Sequence, residues 1–247
     1  MANDSRTPVR EENADGAGPF VIVCDHASNF TPPEYGRLGL PPEMLLSHIA
    51  WDPGALPVSR SLSAELDAPL LWPEVSRLVV DCNRDPDAPD LIVGESEGRP
   101  VPGNRDLEEM DRVRRLATVH VPYHHAVDAR LARRAAAGLS TAVVAVHSFN
   151  PVYRGKERPW HVGIVFDDDR RLADPVIEAL KSDPALVVGE NQPYSPADGV
   201  YYTLTRHARS RRLPAVMIEI RNDLIADEAG QREWAGRLSA ILSELAP

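Results

Sequence analysis

The sequence predicts an α/β fold: a single three-layer α/β/α domain around a central, mostly parallel mixed sheet. Three observations predict it. Short apolar, β-branched runs recur at residues 21–24, 141–146 and 215–218, the pattern of strands buried on both faces. Segments of helical periodicity alternate with them, as in βα units. Polar, chemistry-bearing residues follow each run at once: Asp25-His26 after the first, His147-Ser148 after the second, Glu219 after the third. Open α/β sheets bind ligands at the carboxyl ends of their strands.

The bulk numbers set limits. A chain of 247 residues fits one large domain. The expected division is an unstructured lead-in over residues 1–18, polar and without periodicity, and one catalytic domain over residues 19–247. The net charge of −10, from 37 acidic and 27 basic residues, comes without any basic block. That argues against nucleic-acid and anionic-membrane partners. No apolar run approaches a transmembrane length, and the N-terminus has no apolar signal-peptide core. Cys24 and Cys82 both belong to apolar runs and have no paired metal spacing. They are expected to be reduced core thiols in a cytoplasmic protein.

In order, the first strand leads into a proline-rich loop, then a short helix at Pro41-Pro42. Asp52-Pro53 reads as a helix start, with Asp52 the N-cap and Pro53 the first helical residue. That helix runs to about Leu66. Residues 70–72 suggest a short strand and residues 78–82 another, ending in Asn83-Arg84. Residues 86–104, rich in Pro, Gly and acids, are too long for an ordinary connection and read as a binding loop. A helix spans residues 107–137, interrupted near Pro122, with Tyr123-His124-His125 on its second half. Strands follow at residues 141–147, 162–166, 186–189 and 215–220. Helices lie between them at residues 175–180 and 202–212, and residues 228–245 close the chain.

The strand ends suggest a shared site. His26, Asp52 and His147 offer two imidazoles and a carboxylate with an open fourth position, a common arrangement for zinc-assisted hydrolysis. Asp52 has the N-cap as its competing role, and Asn29, three residues after His26, competes as third ligand. A carboxylate is the better zinc ligand, so Asp52 is preferred. Glu219 is the candidate general base and acid, with a simple ion pair to Arg221 as its alternative. Asn83 and Arg84 form a candidate clamp for a substrate carboxylate. Arg158 and Arg221 are further anion-binding candidates.

Several pieces together resemble the N-formylglutamate amidohydrolase family. They are Asp25-His26-Ala27-Ser28-Asn29, Ile49-Ala50-Trp51-Asp52-Pro53-Gly54-Ala55, and the stretch from Ser76-Arg77 to Asp81-Cys82-Asn83-Arg84. Tyr123-His124, His147-Ser148-Phe149, Arg158-Pro159-Trp160-His161-Val162-Gly163 and Glu219-Ile220-Arg221-Asn222-Asp223 complete the set. No one piece is specific; the ordered set is. The resemblance implies a zinc-carboxypeptidase-like fold related to aspartoacylase-type deacylases. It implies one divalent metal, Zn2+, and a small substrate carrying a carboxylate. The implied reaction is hydrolysis of an N-acyl amino acid, N-formyl-L-glutamate giving formate and L-glutamate. In place of the His-x-x-Glu ligand pair of those relatives, this chain has His26-Ala27-Ser28-Asn29. Two other functions compete: a carboxypeptidase-like hydrolase of peptides or cell-wall fragments, and a non-catalytic binding module on the same fold.

Overall fold

The computed structural model describes residues 7–245. Among these, seven strands form one sheet. Its spatial order is Val9–Glu12, Leu70–Pro73, Phe20–Val23, Ala142–Phe149, Ala215–Arg221, Val162–Val165, Val188–Glu190. The three strands that carry the candidate residues, Phe20–Val23, Ala142–Phe149 and Ala215–Arg221, are adjacent and parallel. Antiparallel pairs join Val9–Glu12 to Leu70–Pro73 and Ala215–Arg221 to Val162–Val165, which makes the sheet mixed.

The central strands are buried throughout, except at the half-buried terminal Arg221, so both faces need cover. On one face Ile22, Val144, Val146 and Ile218 pack under the helices Ala55–Glu65, Ala173–Lys181 and Glu228–Glu244. On the other, Val21, Val23, Val143, Ala145 and Met217 pack under the helices Val121–Ala136 and Tyr202–His207. Side chains alternate along a strand. Asp25, His147 and Glu219 therefore continue the odd-numbered set and share this second face.

Several expectations change. Met1 to Arg6 lie outside the described residues, but Val9–Glu12, expected to be unstructured, is an edge strand paired to Leu70–Pro73. The buried Arg134 fixes the return to the core by donating to the carbonyls of Gly16 and Gly18. The apolar run at residues 78–82 is no strand. Its side chains fill the second core as a buried turn, with the Arg115 guanidinium bonding the Val79 carbonyl in place of a sheet partner. Asp52 is not an N-cap. The helix begins at Ala55 after Gly54, which has φ 81°, and a Cβ there would meet the Ile225 carbonyl at 2.3 Å. The long helix is not broken at Pro122. A π-helical turn at Leu116–His120 precedes the proline, and the helix continues from Val121–Ala136.

Candidate metal centre and active site

Register places the first pair. His147 and Glu219 are direct cross-strand neighbours on parallel strands, and Gly163 is the partner of Glu219 on its other side. His147 lies within its strand rather than after it. His26 follows Phe20–Val23 one turn later, and its carbonyl accepts the Asp52 amide at 2.9 Å, which ties the two loops together.

His26, Asp52 and His147 are all buried, and one ligand atom from each lies within 4.8 Å of the others. Outer carboxylates fix how the rings face. His26 Nε2 donates to Asp81 Oδ1 at 2.7 Å, and His147 Nε2 to Asp25 Oδ2 at 3.0 Å. Both Nδ1 atoms then face Asp52 Oδ2, at 3.4 and 2.9 Å. Asp25 is itself held by Tyr123 Oη and Thr203 Oγ1, each donating at 2.7 Å, and Asp81 Oδ1 also accepts the Asn83 amide. Carboxylates that orient ligating histidines from outside are the usual support of a metal centre.

The electrostatics follow from how closely these charges are held. Burial opposes the Asp52 charge, yet Arg77, His26 and His147 hold this carboxyl well below the usual range. His147 is raised well above its ordinary value because Asp25 and Asp52 outweigh burial. Asp52 Oδ1 is buried without a hydrogen bond, and the Arg77 guanidinium is drawn to within 3.2 Å of it and of His26 Nδ1. Tetrahedral ligands at about 2.1 Å from zinc lie about 3.4 Å apart, so the donors present fit one divalent cation. Asn29, the other candidate third ligand, instead donates its amide to the Leu45 carbonyl at 2.9 Å.

Glu219 lines the same pocket, of about 180 Å3. Its Oε2 is buried and unpartnered. Burial, with Asp52 adding, pushes its carboxyl up to about 7 against the pull of His147, His26 and Arg77. It does not pair with Arg221, whose guanidinium is held by Asp223 at 2.8 Å, outside the pocket wall. Arg84 is in the wall, 2.8 Å from Asp90. Asn83 is in the wall too, but its amide is occupied, donating to the Val200 carbonyl and accepting the Thr203 amide. Arg158 stands behind the wall, stacked on Tyr153 and Tyr194 and donating to Tyr194 Oη at 3.1 Å. Residues 86–104 do line the pocket, through Asp90 and Val93 and through Ser96 and Glu97 of the hairpin Glu95–Ser96/Arg99–Pro100.

Sequence reasoning passed over Asp25, Asp81, Arg77, His48 and Glu97. Asp25 adjoins His26 and Asp81 stands two residues before Asn83, and both, with Arg77, fall inside the stretches that carry the family resemblance. A wider groove lies apart from this pocket, between residues 167–175 and 209–215. Its walls are ion pairs such as Arg171–Asp169 and Arg209–Asp167.

Comparison with known proteins shows the family and the fold. No curated protein matches the chain. The crystal structure of gene product Atu2144 from Agrobacterium tumefaciens is 45% identical, with a TM-score of 0.95, over 97% of this chain and 95% of that one. The N-formylglutamate amidohydrolase from Ralstonia eutropha JMP134 is 21% identical, with a TM-score of 0.70, over 98% and 97%, and shares the fold. The family model for N-formylglutamate amidohydrolase matches residues 18–226, nearly the whole of the sheet and every residue of the pocket, and the chain belongs to that family.

Proposed function

We propose that this chain is a metal-dependent amidohydrolase that cleaves N-acyl amino acids, with N-formyl-L-glutamate hydrolysed to formate and L-glutamate. The observation that carries the reading is the convergence of His26, Asp52 and His147 beside the unpartnered Glu219 oxygen. His26 and His147, through Nδ1, and Asp52 would hold the cation. Zn2+ there would supply Lewis-acid polarisation of a carbonyl and acidify water at neutral pH.

The chain's own residues do the rest. Glu219, ionised, takes a proton from the attacking water and hands it to the amide nitrogen as the C–N bond breaks. Water thus ends as the hydroxyl of the released acid and the hydrogen on the amine. Arg77 places its guanidinium at the edge of the cluster, where it donates to the carbonyl oxygen as negative charge builds there. Arg84 binds the substrate carboxylate in exchange for Asp90. A pocket of about 180 Å3 under a hairpin suits a small acyl group better than an extended peptide. A binding module would have no use for a buried, raised carboxyl at Glu219. No helix among the described residues is long and apolar enough to cross a membrane. Two buried free thiols fit a reducing, cytoplasmic setting.

The test is metal content of the purified protein, followed by an amine-release screen over formyl-, acetyl- and succinyl-amino acids. One divalent ion per chain and preference for the formyl acidic substrate support the reading. Amine release that survives complete metal removal contradicts it.

A further inference from the structure

Two buried histidines outside the pocket form a chain that the chemistry above does not use. His124 Nδ1 lies 2.8 Å from His207 Nε2. His124 Nε2 lies 2.9 Å from the Cys82 carbonyl oxygen, and His207 Nδ1 lies 3.0 Å from Asp128 Oδ1. Each contact needs one hydrogen between its heavy atoms, and neither a carbonyl nor an ionised carboxylate supplies it. Asp128 is ionised: Arg211 stands at 2.7 Å and, with His207, holds the carboxyl below its ordinary value. Two neutral imidazoles carry two ring hydrogens between them. The three contacts require three.

We propose that His207 is an imidazolium paired with Asp128, and that through His124 it positions the turn at residues 81–84 against the metal centre. His207 then donates from Nδ1 to Asp128 and from Nε2 to His124, which stays neutral and donates from Nε2 to Cys82. Cys82 sits between Asp81, which orients His26, and Asn83-Arg84, which line the pocket. One turn before His207 on the same helix, Thr203 donates to Asp25, which orients His147. The pair therefore stands behind both carboxylates that aim the two candidate ligands.

The surroundings act in both directions. His120 packs at 4.3 Å and Tyr202 at 5.2 Å from the His124 ring, and Tyr123 at 5.1 Å, with the charges of Asp25 and Arg206 also acting on it. Burial first, then His120 and His207, push His124 down to about 2, which keeps it the neutral member. Burial, Arg206 and Arg211 pull His207 down against the upward pull of Asp128. A neutral His207, however, leaves two lone pairs facing each other across 2.8–3.0 Å in one of the contacts. The third hydrogen removes that clash.

The proton count is tested by long-range 1H–15N spectra of the 15N-histidine-labelled full chain at pH 7. His207 should show two protonated nitrogens and His124 one. Assignment comes from signals lost in His207→Gln or, if that variant does not fold, displaced in Asp128→Asn. A His207 with one protonated nitrogen overturns the proposal. The positioning role rests on the hydrolase reading, whereas the proton count does not, so failure of the activity leaves the spectrum as an independent test. In Asp128→Asn the His207 proton should be lost about one pH unit lower or more. An alkaline fall in kcat should move with it, and KM should rise over the same pH range, because Arg84 lies in the same turn. A kcat profile that does not move overturns the positioning role.

Discussion

His26 donates its Nε2 hydrogen to Asp81 at 2.7 Å, which leaves Nδ1 as a lone pair facing Asp52. Asp81 thereby chooses the tautomer that can bind a cation. Burial opposes its charge, but His26, Arg84 and Arg77 hold it well below the usual carboxylate range. Replacing such an outer carboxylate typically lowers metal affinity by about 10- to 100-fold. Asp81→Ala should do this in a chelator competition, with the fold kept by circular dichroism. Unchanged affinity would mean that Asp81 merely pairs with His26.

Arg84 should act on substrate and not on metal. Its guanidinium lines the pocket and is mostly buried, with Asp90 as its present partner. A hydrogen bond to a charged group is worth roughly 1.5–3 kcal/mol, or about 10- to 100-fold in KM. Arg84→Ala should raise KM by that factor for N-formyl-L-glutamate and much less for an analogue whose carboxylates are amides. An equal rise for both would assign Arg84 to structure.

Asn83 should behave differently from its neighbour. Its side chain joins the turn to Val200 and Thr203, and both of those bonds run to backbone groups. Asn83→Ala leaves a buried amide and carbonyl without their partner, a loss of about 1–3 kcal/mol. Urea unfolding should show that loss. Full stability combined with a raised KM would return Asn83 to substrate binding.

The legible parts of this protein were the local ones. Strand runs at Phe20–Val23, Ala142–Phe149 and Ala215–Arg221 show in the sequence because burial on both faces keeps them apolar up to the positions that carry His147 and Glu219. The residues that follow them could therefore be assigned to one sheet edge. His26, Asp52 and His147 do meet. The strand expected at residues 78–82 failed because a buried turn and a buried strand are equally apolar, and only partners such as Arg115 tell them apart. Val9–Glu12 was missed because an edge strand can stay polar on its open side. Asp25, Asp81 and Arg77 act through contacts 51 to 122 residues away in the chain, which no local pattern encodes. Arg221 looked available because Asp223, two residues on, reads as an ordinary surface acid.

The most direct test is kcat and metal content of Glu219→Gln against N-formyl-L-glutamate, measured across pH. In the parent chain only the ionised carboxylate accepts a proton. Burial pushes the group up to about 7, so activity should rise with pH to about 7, up to the alkaline fall that follows loss of the His207 proton. A bound cation nearby draws that limb to lower pH. Glu219→Gln should keep one divalent ion per chain and the substrate KM, lose the acid limb, and fall in kcat by roughly 10²–10⁴, the range for one general acid–base group. Parent-level kcat in Glu219→Gln, or loss of the metal with it, would contradict the account.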